Sequence, residues 1–392
     1  MQNRKNEVIV IVPYYHTDLT EMEMIALKQV RKVLKNYDLC FVAPLCLMPV
    51  LASEKYPVEY FADTFFENVS TYNQLMLTPE FYERFIEYRY ILIYQLDAFV
   101  FYDRLSYFCD LDYDYIGAPW IYPERGIIEE AVRTAYVGNG GLTLRNVCSC
   151  IKLLNEKKEE LETFSCNEDF FFSAARGDFK VAPLSIALEF CFETHVRKCF
   201  EINDKRLPFG CHAWERYDYP FWKPYMEKEG YDLSNLEIKT GSEDYLLDKN
   251  LEEYKYGLLS SMQMIPIILQ KLLRKNGLDQ KHFTIWGAGR YGKQVIGLFL
   301  MIGAAVDYVI DEDERLEGET VYKVPVVNFK TYQSLNTDNV IVIAVKKYRD
   351  DIERILEENH LIKKKDFISI LDLADMYYIE VLSNMCRNDE TK

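Results

Sequence analysis

Residues 90–101 read YILIYQLDAFVF. The first five, Tyr90–Tyr94, are apolar or aromatic without a polar break, the pattern of a strand buried on both faces of a parallel sheet. The run passes straight into Gln95-Leu96-Asp97. Side chains alternate along extended backbone, so Gln95 and Asp97 project to the same side. Open α/β sheets take their ligands at the carboxyl ends of the strands. A carboxylate there suits a divalent cation that bridges two phosphates; the plainer reading is that Asp97 caps the segment that follows.

The flanking sequence has the same character. Glu7–Val12 (EVIVIV) reads as a first strand, ended by Pro13. Leu19–Leu34 carries apolar residues at helical spacing, Leu39–Ala43 is a second short strand, and Thr78–Tyr88 is again helical in pattern. Strand, helix, strand, helix, strand is an α/β signature.

Composition narrows the class. With 392 residues, 49% hydrophobic and 28% charged, the chain is long enough for two domains of ordinary globular make-up. A net charge of −16 argues against a nucleic-acid partner, which calls for a basic patch. The 30 Tyr and 23 Phe either enrich the cores or offer flat faces to sugar and base rings. The ten cysteines form no CxxC pair, zinc-ligand spacing or disulfide framework, so reduced thiols and a cytoplasmic location are expected. The opening MQNRKNEVIVIVPYY has too short an apolar run for a signal peptide, and no stretch of about 18 apolar residues predicts a membrane span. The sequon Asn68-Val69-Ser70 is read as accidental. The expected organisation is a catalytic domain over 1–235, a helical connector over 236–280 (clearest at Leu251–Arg274), a smaller α/β domain over 281–372, and a C-terminal helix and tail over 373–392.

Four further motifs lie in the first domain. Asp114-Tyr115-Ile116-Gly117-Ala118-Pro119-Trp120 combines loop-setting Gly and Pro with a ring that can stack on a sugar or base. Val137-Gly138-Asn139-Gly140-Gly141, leading into Leu142–Arg145, allows close approach of a ligand to backbone N–H groups, or makes a tight hairpin. Asn167-Glu168-Asp169 precedes Phe170–Phe172; its carboxylates suit a general base, and its Asn or Asp suits a helix N-cap. Pro208-Phe209-Gly210-Cys211-His212-Ala213-Trp214 puts a histidine in a rigid aromatic loop, either as a structural residue or as a metal or phosphate partner.

In this order the motifs resemble a bacterial family of glycosyltransferase-like domains catalogued mainly as a domain of unknown function. The shared set is Tyr72-Asn73 with Leu75–Leu77, YQLDAF, DYIGAPW, GNGG, the Glu168-Asp169 pair, Phe192-Glu193 and PFGCHAW, over residues 5 to 220. The resemblance implies an α/β, GT-A-like nucleotide-sugar-binding domain with a metal-binding DxD motif after a sheet strand. Asp97 then matches the second acid of that motif. Gln95 stands where the first acid belongs, which departs from the pattern. His212 takes the place of the histidine that some such enzymes use as an extra metal ligand. Gly140-Gly141 followed by Glu168-Asp169 resembles the glycine and acidic pairs of inverting members, with Asp169 as the base for the acceptor hydroxyl and Glu168 beside it; the reverse assignment stays open, as does retaining chemistry. Val12-Pro13-Tyr14 is expected near the nucleotide base. The implied donor-binding set is Pro13, Tyr14, Asn73, Gln95, Asp97, Trp120, Asn139, Gly140 and Gly141, with Mn²⁺ or Mg²⁺ on Asp97 and His212. The implied activity is transfer of a hexose from a nucleoside-diphosphate sugar, a UDP-sugar, to a glycan or glycoprotein acceptor in bacterial surface-glycan synthesis. A homo-oligomer or a complex with other glycan-synthesis enzymes is the expected setting.

The second domain opens on FTIWGAGRYGKQVIGLFL (283–300), where Gly287, Gly289 and Gly292 form a GxGxxG between a strand and a helix. Asp311 closes the next strand, nineteen residues beyond Gly292. This is the context of a dinucleotide fingerprint, although a second mononucleotide-binding half is not expected in the remaining length. The region resembles small Rossmann-like domains appended to bacterial polysaccharide and sugar-modifying enzymes. Three readings stay open for it: a docking or oligomerisation module, a nucleotide site at Gly287, Gly289, Gly292 and Asp311, or an NAD(P)-linked enzyme. For the whole chain, the rival to a transferase is a non-catalytic sugar- or nucleotide-binding partner of another transferase.

Overall fold

A computed structural model of the protein describes residues 7–121, 137–164, 166–175, 177–234, 236 and 266–377. The chain divides into two compact units, Met1–Leu246 with Met385–Lys392, and Leu247–Asn384.

In the first unit the apolar runs become strands β1 (Val8–Pro13), β2 (Asp38–Pro44), β3 (Val58–Phe61) and β4 (Tyr90–Tyr94). These four are parallel neighbours in the order β3-β2-β1-β4. The short strands β5 (Phe99–Val100), β6 (Tyr115–Ile116), β7 (Ala118–Pro119) and β8 (Val137–Gly138) follow. Strand β9 (Leu142–Asn146) then adds antiparallel to β4, and β6 antiparallel to β9, which completes a six-stranded sheet. Strands β10 (Cys191–Phe192) and β11 (Gly210–Cys211) join β5 in a small second sheet.

Strand β1 shows why the sheet is continuous. Val8, Val10 and Val12 pack into the core on one face, with Leu92, Tyr94 and Leu144. Ile9 and Ile11 pack on the other, with Val42, Ile91 and Ile93. A strand apolar on both faces is stable only with cover on both sides, and each fully buried Val or Ile contributes on the order of 1.5–3 kcal/mol. The helix Glu21–Val33 covers one face with Ala26, Leu27 and Val30. Its start is set by a capping box in which Thr20 and Glu23 each satisfy the other's backbone N–H. The helical pattern expected over Thr78–Tyr88 is realised only as Pro79–Glu83. Phe81, Tyr82 and Phe85 are all buried there, so the segment is a core plug more than an amphipathic helix.

The second unit is built the same way. Strands β12 (His282–Trp286), β13 (Ala305–Ile310), β14 (Thr320–Val321), β15 (Val324–Val327), β16 (Val340–Ile343) and β17 (Phe367–Ser369) form one sheet in the order β14-β15-β13-β12-β16-β17. All neighbours are parallel except β14 with β15. Two parallel strands, β16 and β17, continue beyond β12 on the side away from β13. The helix Pro266–Lys275 lies within the stretch expected as a connector, yet Leu269, Leu272 and Leu273 are buried in this unit's core with Phe283 and Val295. The rest of Leu251–Arg274, and the part of the expected C-terminal helix and tail beyond residue 377, lie outside the described residues. Cysteines among the described residues are free thiols, and no described helix is long and apolar enough to cross a membrane.

The glycine loop of this unit is geometrically strict. Gly287 has φ 118°, a left-handed conformation. A Cβ at Gly292 would lie 1.7 Å from the Gly287 carbonyl oxygen, so the helix Arg290–Met301 seats against the loop only because that position is glycine. Gly292→Ala is therefore expected to destabilise this unit by about 1–3 kcal/mol through overpacking. Urea unfolding followed by Trp286 fluorescence checks it; an unchanged midpoint contradicts the packing described.

Candidate functional site

The order β3-β2-β1-β4 makes the chain leave β1 and β4 in different directions, which opens a crevice at their carboxyl ends. Pro13 ends β1, and Gln95 to Asp97 follow β4. Because β9 runs antiparallel, its first residue Leu142 pairs with Tyr94, the last of β4. That register brings Gly140 and Gly141 to the same edge, and the Gln95 N–H donates to the Gly141 carbonyl at 2.8 Å. A cleft of about 760 Å³ lies here, lined by Pro13, Tyr72, Asn73, Gln95, Asp97, Trp120, Asn139, Gly140, Gly141, Glu168, Asp169 and His212 among others.

Asp97 and His212 meet in this cleft. His212 Nε2 is 3.1 Å from Asp97 Oδ1 and 3.3 Å from Gln95 Oε1, while Nδ1 is 2.8 Å from Glu193 Oε1. One N–H at Nε2 cannot serve both neighbours well, and Asp97 Oδ1 is a buried oxygen with no aligned hydrogen bond. Burial disfavours a charged imidazole, but the Asp97 and Glu193 carboxylates outweigh it and push His212 up to about 10. Burial likewise opposes ionisation of Asp97, and His212 and Arg216 override it, holding the carboxyl below its usual range. Arg216 Nη2 is 3.4 Å from Asp97 Oδ2. The Gly141 backbone must pass close to this group: a Cβ there would lie 1.9 Å from His212 Nε2.

Glu168 and Asp169 open the helix Glu168–Ala174. Glu168 is buried, and its Oε1 accepts from Arg145 Nη2 at 2.8 Å. A Cβ at Gly140 would lie 2.3 Å from the same oxygen. Asp169 is half-buried; Oδ2 accepts the Asn139 N–H at 3.1 Å and Oδ1 the Phe170 N–H at 2.9 Å. Burial, then the charges of Glu168 and Glu193, push its carboxyl up to about 8. Asn167 sits at the N-cap but makes no capping bond with its side chain; its Oδ1 accepts from Asn73 Nδ2 at 2.9 Å.

The other expected residues divide. Trp120 lines the cleft, its ring 4.6 Å from that of Phe170. Asn139 is buried at φ 82° with its Oδ1 accepting from the Gly141 N–H at 2.6 Å, so it shapes the glycine turn from within. Tyr14 does not reach the cleft: its ring packs 5.1 Å from Phe41 at the core, and Tyr15, 53% exposed, lines the cleft in its place. The strand ends at Pro13, so alternation no longer says which tyrosine faces the ligand side. Arg145, Tyr15, Glu193 and Arg216 were not singled out as functional from the sequence. Two of them had a signal: Glu193 stands in the shared motif set, and Arg145 is a cation amid the buried run LTLRN on the same face of β9 as Thr143.

In the second unit, Gly289 is the N-cap of the helix Arg290–Met301 and Gly292 packs on Gly287. Asp311 is already engaged: Oδ2 accepts the Ala288 N–H at 2.7 Å and Oδ1 the Asp313 N–H at 3.0 Å.

Residues 55–212 match a family model described as a protein of unknown function (DUF5672). No curated protein matches the chain. Among solved structures, galactosyltransferase LgtC in complex with donor and acceptor sugar analogues is similar at 14% identity over 60% of this chain and 98% of its own, with a TM-score of 0.37. The apo form of glycosyltransferase GlyE from Streptococcus pneumoniae TIGR4 is similar at 13% identity over 93% and 91%, TM-score 0.35. A glycosyltransferase involved in glycosylation of the major capsid of PBCV-1 is similar at 11% over 57% and 99%, TM-score 0.31. At such values the likeness carries no inference about chemistry, which has to come from the cleft itself.

The raised carboxyl of Asp169 links the site to stability. An unfolded chain ionises this aspartate near the ordinary 3.8, whereas the folded protein holds its proton up to about 8. The group's stabilising contribution is therefore full below about pH 4 and is lost progressively as pH rises to about 8. Asp169→Asn mimics the neutral form. Its denaturation midpoint should exceed that of wild type at about pH 8 and converge with it at about pH 4. A variant no more stable at the higher pH contradicts the burial assigned to this carboxyl.

Proposed function

We propose that the first unit is a glycosyltransferase that takes a sugar from a nucleoside-diphosphate donor, with inversion, and passes it to a hydroxyl of a glycan or glycoprotein. The observation that carries this is the convergence of Gln95 Oε1, Asp97 Oδ1 and His212 Nε2 in the cleft that also holds Asp169. Together with the motif resemblance over residues 5 to 220, it supports a nucleotide-sugar site.

A divalent cation fits these residues. Among the described residues no three His, Cys, Asp or Glu side chains gather as a metal cluster, so the donor set is one carboxylate, one imidazole and one amide. An oxygen-rich set with one nitrogen suits Mn²⁺ or Mg²⁺. Asp97 Oδ1 is buried and held by the His212 imidazolium instead of by an aligned hydrogen bond, so a cation would take its place between the two as Nε2 gives up its proton. Glu193 on Nδ1 orients the imidazole in the manner of an outer-shell partner. The lining carboxylates Glu23, Glu67, Asp97, Glu168, Asp169, Glu193 and Glu215 are set against Arg216 and His212, a balance that disfavours a bare diphosphate. When bound by Asp97, His212 and Gln95, the cation supplies neutralisation of the diphosphate leaving group.

The chain's own residues do the rest. Arg216, beside Asp97, is placed to pair with a phosphate. Tyr15 offers an exposed ring to the nucleotide base, in the role first given to Tyr14, and Pro13 closes that end. Trp120 on Phe170 gives an apolar wall for a sugar ring, and the Asn73–Asn167 amide pair meets hydroxyls. Asp169 takes the proton of the acceptor hydroxyl. The freed oxygen pair forms the new bond to the anomeric carbon, whose bond to the diphosphate oxygen breaks, and that electron pair leaves with the nucleoside diphosphate. A carboxyl poised near neutral pH is the right base for this step.

For the second unit, the engagement of both Asp311 oxygens by backbone N–H groups favours a docking module over an NAD(P)-linked enzyme, because that acid is the group that would hold a ribose.

A thermal-shift screen of UDP- and GDP-sugars tests the proposal. One donor should raise the melting temperature with Mn²⁺ and not without it, and Asp97→Ala and His212→Ala should abolish the shift. Asp169→Asn should keep the shift and lose turnover by about 10²–10⁴-fold. If no donor shifts the melting point and Asp97→Ala changes nothing, the transferase reading fails.

A further inference from the structure

Arg145 is a charged side chain with no solvent exposure. Each of its three guanidinium nitrogens donates: Nε to Thr143 Oγ1 at 3.0 Å, Nη1 to the Tyr82 hydroxyl at 2.9 Å, and Nη2 to Glu168 Oε1 at 2.8 Å. The rings of Phe172 and Tyr115 flank it at 4.8 and 5.5 Å. Burying an ion pair is costly, and a cheaper apolar pair of the same volume would fill this space. What the planar fork adds is a fixed orientation for the carboxylate it holds. Glu168 is thus held by Arg145 on one side, and the Cβ-less backbone of Gly140 lets it lie against the glycine turn. Among the described residues, the hydrogen bonds to Asp169, the next residue, come from backbone N–H groups, those of Asn139 and Phe170. Two adjacent carboxylates therefore have opposite circumstances, one ion-paired in the core and one with its face to the cleft.

We propose that Arg145 is a positioning residue: it clamps Glu168 as a fixed counter-ion, so that Asp169 is the carboxyl group left to exchange a proton with the substrate. The acceptor's identity rests on the transferase reading; the clamp itself does not. Arg145 acts through Glu168, not directly on Asp169. Among the described residues, the charged and titratable groups that face Asp169 are Glu168 on its own helix, Glu193 after β10, and the Tyr115 hydroxyl on β6. Removing the Glu168 charge lowers the pH at which Asp169 ionises, whereas removing Arg145 acts only as long as Glu168 is there to be released.

Carboxyl-carbon NMR of the full chain with ¹³C-labelled aspartate, the signal assigned by its loss in Asp169→Asn, tests this without any substrate. Asp169 should titrate near about 8 in the wild type. Glu168→Gln leaves an oxygen on Arg145 but removes the charge, and the midpoint should fall by about one pH unit or more. Adding Arg145→Met to Glu168→Gln should leave that midpoint where the single change put it, because two groups that act through one another are not additive. The double change also removes both members of the buried pair, which favours a folded protein. A midpoint unmoved by Glu168→Gln, or one that rises when Arg145 is removed in the Glu168→Gln background, overturns the proposal. If Arg145→Met prevents folding, the Glu168→Gln titration decides alone. A failed donor screen with this titration intact would remove the transferase reading and leave the clamp standing.

Discussion

The antiparallel pairing of β9 with β4 is the constraint on which the rest of the cleft depends. The parallel strands bring Pro13, the Gln95–Asp97 stretch and the segment after β3 with Tyr72 and Asn73 to the cleft, but neither glycine of the turn. With Leu142 opposite Tyr94, the glycine turn before β9 is delivered to the same edge and tied there by the Gln95 N–H on the Gly141 carbonyl. The turn then has neighbours on both sides: His212 fits against Gly141 and Glu168 against Gly140, each at a distance that excludes a Cβ. Asn139 closes the arrangement by holding the Gly141 N–H with its side chain and Asp169 with its backbone. One register of a two-strand pairing thus sets the spacing between the Asp97–His212 group and the acidic pair.

The cleft is arranged against stability in a consistent way. It gathers carboxylates, keeps Asp169 protonated past its ordinary range, and leaves a buried Asp97 oxygen without an aligned hydrogen bond. Each of these is unfavourable in an isolated folded chain and is put to use once a cation or an acceptor hydroxyl is in place. The cost is carried by the surrounding core: β1 and β4 are buried on both faces, and Tyr82, Tyr115 and Phe172 enclose Arg145. Rigid strands and a filled aromatic shell hold polar groups in place better than loops do.

Much of the frame was legible in the sequence, for identifiable reasons. Unbroken apolar runs marked β1 and β4, and apolar residues at helical spacing over Leu19–Leu34 marked the first long helix. The motifs containing Asp97, Gly140, Asp169 and His212 were each visible, and the fold brings them to one cleft. What stayed hidden depended on partners distant in the chain. The glycine turn reads equally as a hairpin until His212 and Glu168 are placed against it. Glu168 and Asp169 are indistinguishable until Arg145 is seen to hold the first. Tyr14 was expected at the ligand side and Tyr15 stands there instead, because the strand period stops at Pro13. In the second unit the glycine fingerprint was plain, but the capture of Asp311 by Ala288 and Asp313 N–H groups has no sequence signal.

The central claim is that Gln95, Asp97 and His212 form a cation site serving a nucleoside diphosphate. Anomalous diffraction at the manganese edge, from crystals of the full chain grown with Mn²⁺ and UDP, addresses it directly. The account predicts a single anomalous peak in contact with the Asp97 carboxylate and His212 Nε2, with the diphosphate on the same ion. A UDP molecule bound with no peak there, or with its ion held by other residues, contradicts it.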